Sequence, residues 1–203
     1  MRAYAAVSWV MGEQTHEALE LRIAAYREQG ALTDGATLAI RGFGPEILGY
    51  LVGLCASEDA GHEIFADFSE RLWRTLPNFR GECSFRVWCY RLARSAAFDF
   101  LKHAHRHRER PIESHELSAV AQEVVSSVTH QRSAVLEKWS RLRAQLEPEE
   151  QTLLILRLDR GLSWPELAAV MSEDAPVEAA ALRKRFERLK RRLRDALRSD
   201  GGL

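Results

Sequence analysis

Net charge is the first thing this chain lacks. Its 29 Lys and Arg are balanced by 29 Asp and Glu, so bulk electrostatics select neither an acidic nor a basic partner. Cysteine is scarce as well. Cys55, Cys83 and Cys89 form no CxxC pair, which excludes a disulfide scaffold and a thiolate zinc site and suits a reducing cytoplasm. No run approaches the roughly 18 apolar residues of a membrane span, so no membrane insertion is expected. The first dozen residues, Arg2 followed by AYAAVSWVM, imitate a signal peptide only weakly, with one charge and no small-x-small cleavage site after them. Gly-rich phosphate loops, Walker patterns and the Ser-x-x-Lys and Gly-x-Ser-x-Gly nucleophile motifs are all missing. The chain is therefore expected not to be an enzyme and to need no cofactor. Long period-two alternation and internal repeats are missing too, which points to an all-α fold.

What is present is an uneven distribution of charge. Residues 179–203 hold nine basic and three acidic residues, and residues 76–110 hold eight and three. Residues 51–75 and 111–178 are net acidic. Two basic blocks on acidic bodies point to two nucleic-acid faces.

Gly and Pro mark the joints between helices. A tail over residues 1–16 precedes a first helix, Glu17–Gln29, and a Gly30–Gly35 break. A helical turn is expected over Ala36–Ile40, and Pro45 is expected to start a second helix through Ala56. Ser57-Glu58-Asp59 caps a third helix to about Leu76, Pro77–Cys83 is a loop, and Ser84 caps a fourth helix to about His105. From residue 107 to 133 large apolar residues thin out around Pro111, which reads as a flexible linker with a short helix near Leu117–Val125. A second body follows, with helices expected over Ala134–Leu146 and Pro148–Arg160.

The strongest signal lies at its end. Ser163-Trp164-Pro165-Glu166 is a Ser-x-x-Glu capping box ahead of Leu167–Met171. In Ala179–Arg198, Leu182, Phe186, Leu189, Leu193 and Leu197 recur every three or four positions, and the rest of the helix surface is basic. A capped short helix, a turn and a basic helix is the order of a helix-turn-helix.

The first body has two features of its own. The third helix sets Ile64, Phe65, Phe68, Leu72, Trp73 and Leu76 against a face of Glu63, Asp67, Glu70 and Arg74, the arrangement of any amphipathic helix with a solvated side. Downstream, Phe79, Phe85, Trp88, Tyr90, Phe98 and Phe100 interleave with Arg80, Arg86, Arg91, Arg94, Lys102, Arg106 and Arg108. Cations attract phosphate, and aromatic faces stack on unpaired bases at about 1–3 kcal/mol each. Phe85, Trp88, Leu92 and Ala96 are nonetheless spaced as a buried stripe, so Phe85 and Trp88 are expected mostly inside.

Trp73-x2-Leu76-Pro77-x-Phe79-Arg80-Gly81-Glu82-x-Ser84-Phe85-Arg86-x-Trp88-x-Tyr90-Arg91-Leu92-Ala93-Arg94, then Ala97-x-Asp99-x-Leu101, resembles the promoter-melting part of bacterial RNA polymerase sigma factors, and in particular the extracytoplasmic-function (ECF) group of the sigma-70 family. Leu146-x-Pro148-Glu149-Glu150-Gln151, Gly161-Leu162-Ser163, Glu166-Leu167-Ala168 and Leu182-x2-Arg185-x2-Arg188-Leu189 resemble that group's second domain in the expected order. The sequence departs from the family at Ser95, where Asn is usual, at Ala181, where Thr is common, and in a longer acidic turn over Ser172–Ala180.

The resemblance implies two small helical domains joined by the linker, domain 2 over residues 17–106 and domain 4 over residues 134–203. It implies core RNA polymerase and promoter DNA as partners, with a cognate anti-sigma protein as in many members. It assigns polymerase binding to Glu63, Asp67, Glu70, Arg71 and Arg74. It assigns the −10 element to Arg80, Ser84, Arg91, Arg94, Ser95, Asp99 and Lys102. Arg183, Lys184, Arg185, Arg188, Lys190 and Arg191 fall to the −35 element, with Arg185 and Lys184 reading bases. Two other readings of the residues stay open: a helix-turn-helix regulator that does not bind polymerase, and a helical adaptor using the basic helix as half of a short coiled coil. His103-x-His105-x-His107 offers at most two ligands on one helix face, so no metal site is expected.

Overall fold

Local signals for helix termination and capping organise the chain into seven α-helices among the described residues. The computed structural model describes residues 3–102, 122, 124, 146–172 and 175–199. All regular structure in them is helical. Helices α1 (Ala3–Glu28), α2 (Leu32–Cys55), α3 (Glu58–Thr75) and α4 (Phe85–Lys102) make a first unit. Helices α5 (Pro148–Leu154), α6 (Trp164–Met171) and α7 (Ala179–Ser199) make a second.

The expected caps are in place. Ser57 Oγ accepts the Ala60 amide at 3.3 Å, and Ser84 Oγ accepts the Val87 amide at 3.2 Å. Ser163 and Glu166 close a reciprocal capping box at 3.4 and 2.7 Å. Each satisfies amides that have no partner within the helix. In α3, Glu58 and Asp59 at the start and Arg74 at the end also match the helix dipole.

Two boundaries differ from the sequence expectation. Helix α1 begins at Ala3 rather than Glu17, because the Ala-rich stretch before Gly12 contains no helix breaker. Helix α2 runs unbroken through Pro45 instead of starting there. The missing Pro45 amide removes one backbone bond. The same buried stripe lies on both sides of it: Ala36, Ala39, Ile40 and Phe43 before, Ile47, Leu48, Leu51 and Leu54 after. Packing of that stripe outweighs one lost hydrogen bond.

Helix α2 is therefore the spine of the first unit, packed by α1, α3 and α4. It is long and apolar enough to cross a bilayer by length and composition alone, but here its apolar face is the protein core. Phe43, Phe65, Phe68, Leu72 and Phe85 fill the space beside it, each at most 3 % exposed. Within residues 107–133 only Gln122 and Val124 are described. Both are helical, and Val124 is buried where a Cβ on Gly44 of α2 would meet its methyls at 3.3 Å. The rest of the expected linker, the Ala134–Leu146 helix up to residue 145 and the 103–107 histidines lie outside the described residues.

In the second unit, α5 continues into a π-helical turn, Ile155–Asp159. Leu153, Leu156, Leu162, Leu167 and Val170 join Leu182, Phe186, Leu189 and Leu193 of α7 in the buried set. The two units share one contiguous core, with α4 packed on α6 and α2 on α5.

Candidate nucleic-acid interface

A 3-10 turn at Leu76–Asn78 and a left-handed residue, Gly81 at φ +76°, set the course of the loop between α3 and α4. Any other L-residue would be strained at Gly81. The loop is anchored at Phe79, whose carbonyl accepts a hydrogen bond from Arg27 of α1 and whose ring lies 5.1 Å from that guanidinium. The Phe79, Phe85 and Trp88 rings pack within about 5 Å of one another. Phe85 is buried, as expected, whereas Trp88 is only half-buried. Trp88 lines a recess of about 210 Å³ with Asn78, Phe79, Arg80, Glu82, Cys83 and Arg91. Arg80 is 84 % exposed, with Glu82 4.0 Å away. Burial pushes the Cys83 thiol up, an effect that Arg91 opposes. The recess thus offers aromatic faces and two cations beside the capped start of α4.

The buried residues of α4 are not the stripe expected from spacing. Trp88 and Leu92 are half-buried, while Val87, Cys89, Tyr90, Ala93 and Arg94 are buried along with Phe85, Ala96 and Ala97. The helix is covered from two sides, by α2 and α3 and by α6, so a stripe for one-sided burial underestimates its inner face. Two of its arginines point into this packing. Arg86 is clamped by the Glu46 carboxylate at 2.7–3.2 Å and donates to the Arg160 carbonyl at 3.0 Å. Burial disfavours its charge, but the Glu46 bonds outweigh that and raise its pKa. Arg94 is buried over the Phe98 ring at 4.3 Å, with Glu149 of α5 at 3.7 Å.

The remaining residues assigned to this face divide in two. Arg80, Ser84 and Arg91 are exposed around the loop, and Lys102 is exposed at the helix end. Ser95 and Asp99 instead meet Arg71 of α3, whose Nη1 lies 3.3 Å from Ser95 Oγ and 2.8 Å from Asp99 Oδ2. Arg71 also pairs with Asp67 at 2.8 Å, and Arg74 pairs with Glu70 at 3.1 Å. Burial lowers the Arg71 pKa, but the two carboxylates more than restore it. Glu63 is half-buried on the same helix. The polar face of α3 and the outer face of α4 therefore join at one guanidinium.

In the second unit, α7 buries Leu182, Phe186, Leu189 and Leu193 of the stripe its spacing predicts, and the side chain of its fifth member, Leu197, lies outside the described residues. The Trp164 ring stacks edge-on against Phe186 at 5.5 Å. Arg157 and Arg183 both lie over that Trp164 ring, at 4.8 and 5.6 Å. Arg183, Lys184, Arg188 and Arg191 are exposed. Arg185 is half-buried and bound to Glu149 at 2.8 Å, and Lys190 pairs with Glu187 at 2.8 Å. Arg192 is bonded to Glu150. The turn from Ser172 is fastened by its own hydroxyl, which donates to the Ala168 carbonyl and accepts the Val177 amide at 2.7 and 2.8 Å.

Sequence reasoning missed Glu149, Glu46, Arg160 and Trp164. Glu46 and Glu149 are charges whose partners lie in another helix, and Arg160 meets Arg86 through its backbone carbonyl, so no spacing rule along the chain pairs them. Trp164 was legible only as part of a capping box. Among the described residues no His, Cys, Asp or Glu group is arranged to hold a metal ion. Residues 39–107 match the family model of Sigma-70 region 2. No curated protein matches the chain.

Proposed function

Residues 39–107 are a sigma-70 region 2, which makes the chain a sigma factor of the sigma-70 family with a role in promoter recognition by RNA polymerase, and from that premise we propose that it is an ECF-group factor with two DNA contacts. Factors of this kind do no covalent chemistry; the polymerase does it in the cytoplasm. In this reading the polar face of α3, with Glu63, Asp67, Glu70, Arg71 and Arg74, docks on core polymerase. The recess and the exposed Arg80, Ser84, Arg91 and Lys102, joined by Ser95, Asp99 and Arg94, open and hold the −10 element. The exposed cations of α7 enter the −35 major groove as the second helix of a helix-turn-helix. Residues 17–106 and 134–203 act as the two domains, and a cognate anti-sigma protein is a further partner.

The observation that carries the reading is the coincidence of the region 2 match with the aromatic and cationic recess at the mouth of α4. A flipped base costs a few kcal/mol to unstack, and stacking plus a charged rim offsets that cost.

The test is transcription in vitro with core polymerase and a genomic promoter library, with permanganate footprinting on a responsive promoter. Arg80→Ala, combined with Ser84→Asp to keep the helix cap, is expected to lower strand opening about tenfold or more while duplex binding changes less. Normal melting in that variant removes the loop from the mechanism. Reversing Asp67 and Glu70 to Lys is expected to weaken core binding about tenfold, since rim charges steer association. Retained DNA binding without any polymerase binding by the wild-type chain would favour the stand-alone regulator.

A further inference from the structure

On the side of α7 that faces away from the core, an acid stands among cations. Leu182, Phe186, Leu189 and Leu193 turn one side of the helix inward. At about 100° per residue the opposite side falls on Lys184, Glu187, Arg188 and Arg191, and all four are exposed. Lys184 and Arg191 lie one turn to either side of Glu187, and Arg188 is next to it. The Glu187 side chain is 56 % exposed, and its Oε1 meets Lys190 Nζ at 2.8 Å. Lys190 itself leans over the Phe186 ring at 5.2 Å, toward the apolar side. A carboxylate has about four acceptor sites, so one pair with Lys190 does not exhaust it.

We propose that Glu187 is a base-reading residue that selects cytosine in the −35 duplex. The inference rests on the reading of α7 as the helix that enters that duplex. An acid on the face that meets DNA repels each phosphate it approaches and weakens binding to every sequence. The major groove offers one base edge that compensates without conflict. Cytosine presents its N4 amino group as a donor to a carboxylate. Guanine N7 and O6 and thymine O4 only accept, and the adenine N6 donor sits beside the N7 acceptor, which repels the second carboxylate oxygen. A site without cytosine leaves the Glu187 carboxylate stripped of water and without a donor. The discrimination therefore works by penalty on wrong sites as much as by attraction to the right one. The neighbouring cations supply affinity that does not depend on sequence, and Glu187 spends part of it on choice.

The experiment uses the full chain assembled with core polymerase. Duplexes randomised over the −35 element are selected by the wild-type and Glu187→Ala assemblies and sequenced. Wild type is expected to enrich cytosine at one position where Glu187→Ala prefers it about tenfold less, with the other positions kept. A second measurement separates this from an arginine reading the paired guanine. N4-methylcytosine at that position blocks the major-groove donor and leaves guanine untouched. It is expected to weaken wild-type binding about tenfold and Glu187→Ala binding less than twofold. Identical motifs from the two chains, a loss spread over several positions, or equal sensitivity to the methyl group overturns the proposal. If circular dichroism shows Glu187→Ala misfolded, Glu187→Met replaces it as the variant without a carboxylate. Failure of the −35 reading is distinguishable: the wild-type assembly then enriches no motif, and base reading by Glu187 falls with it, whereas a cytosine preference that survives in the variant defeats this inference alone.

Discussion

The two basic blocks of this chain look equivalent in composition and are not equivalent in space. In the first unit Arg86 is clamped by Glu46 and Arg94 is buried against α5, so two of the five cations over residues 76–102 are committed to holding the fold. In α7, Arg185, Lys190 and Arg192 are paired with carboxylates, but Arg183, Lys184, Arg188 and Arg191 stand exposed on a helix that buries Leu182, Phe186, Leu189 and Leu193. The first unit spends charge on its own architecture and offers a shaped aromatic recess. The second offers charge with little shape. A basic block in sequence measures capacity for anions only after its internal ion pairs are subtracted.

The comparison is sharpened first by breaking the first unit's interior. Phe68→Ala empties a site 1 % exposed between α2 and α3 and is expected to cost about 3–5 kcal/mol by chemical denaturation. A loss below about 1 kcal/mol would show that the first unit's core is not where its stability lies.

Next comes Arg86→Ala, which strands Glu46 with 15 % of its side chain exposed. Removing one partner of a buried pair costs about 3–5 kcal/mol, and the remaining exposure reduces that to about 2–3. Duplex affinity of the folded variant should stay within about twofold at fixed salt if Arg86 makes no phosphate contact. Arg183→Ala with Lys184→Ala should do the opposite, leaving the denaturation midpoint in place and weakening DNA binding. If both variants behave alike, the division between committed and available charge fails.

A smaller effect separates residues within α7. Arg185→Ala is expected to cost about 1–3 kcal/mol at one base pair of a −35 duplex and to relax the preference there. Arg188→Ala should weaken all duplexes alike and reduce the salt slope by about one unit. A competition assay over single-base variants across a salt series reads both.

The smallest expected effect concerns the thiols. Burial pushes Cys55 from 9.0 up to about 11 and Cys89 well above the ordinary range. At pH 8 fewer thiolates form, so iodoacetamide is expected to modify Cys83 first, Cys55 more slowly and Cys89 only on unfolding. The unfolded thiol ionises first as pH rises, so the Cys55 contribution to stability is complete below about 9 and is lost toward 11. Mass spectrometry of peptides over a pH series gives the order directly, and early loss of Cys89 would contradict its burial.

Much of the fold was legible because its signals are local. Ser57, Ser84 and Ser163 mark helix starts within three residues of the groups they satisfy, and the α3 and α7 stripes depend only on helical spacing. The α2 boundary was not legible, because the cost of Pro45 is local whereas the burial of Ile40 and Phe43 that outweighs it comes from three other helices. Arg80, Ser84 and Arg91 gather around the recess because one loop holds them. Arg94 turns inward and Arg185 is tied to Glu149 because the packing of the two units decides their environment, and nothing within α4 or α7 encodes that.

Arg71 sits where two surfaces join, touching Asp67 on one side and Ser95 and Asp99 on the other. In thermodynamic terms such a guanidinium is a shared ligand of both faces. Any partner that draws Arg71 toward Asp67 loosens its hold on Asp99, and any partner that engages Asp99 frees Arg71 for α3. By linkage the factor by which one partner alters the affinity of the other must be the same in both directions. Under the proposed function, in which α3 docks on polymerase and Asp99 meets the promoter strand, one side chain makes those two affinities readings of one free energy.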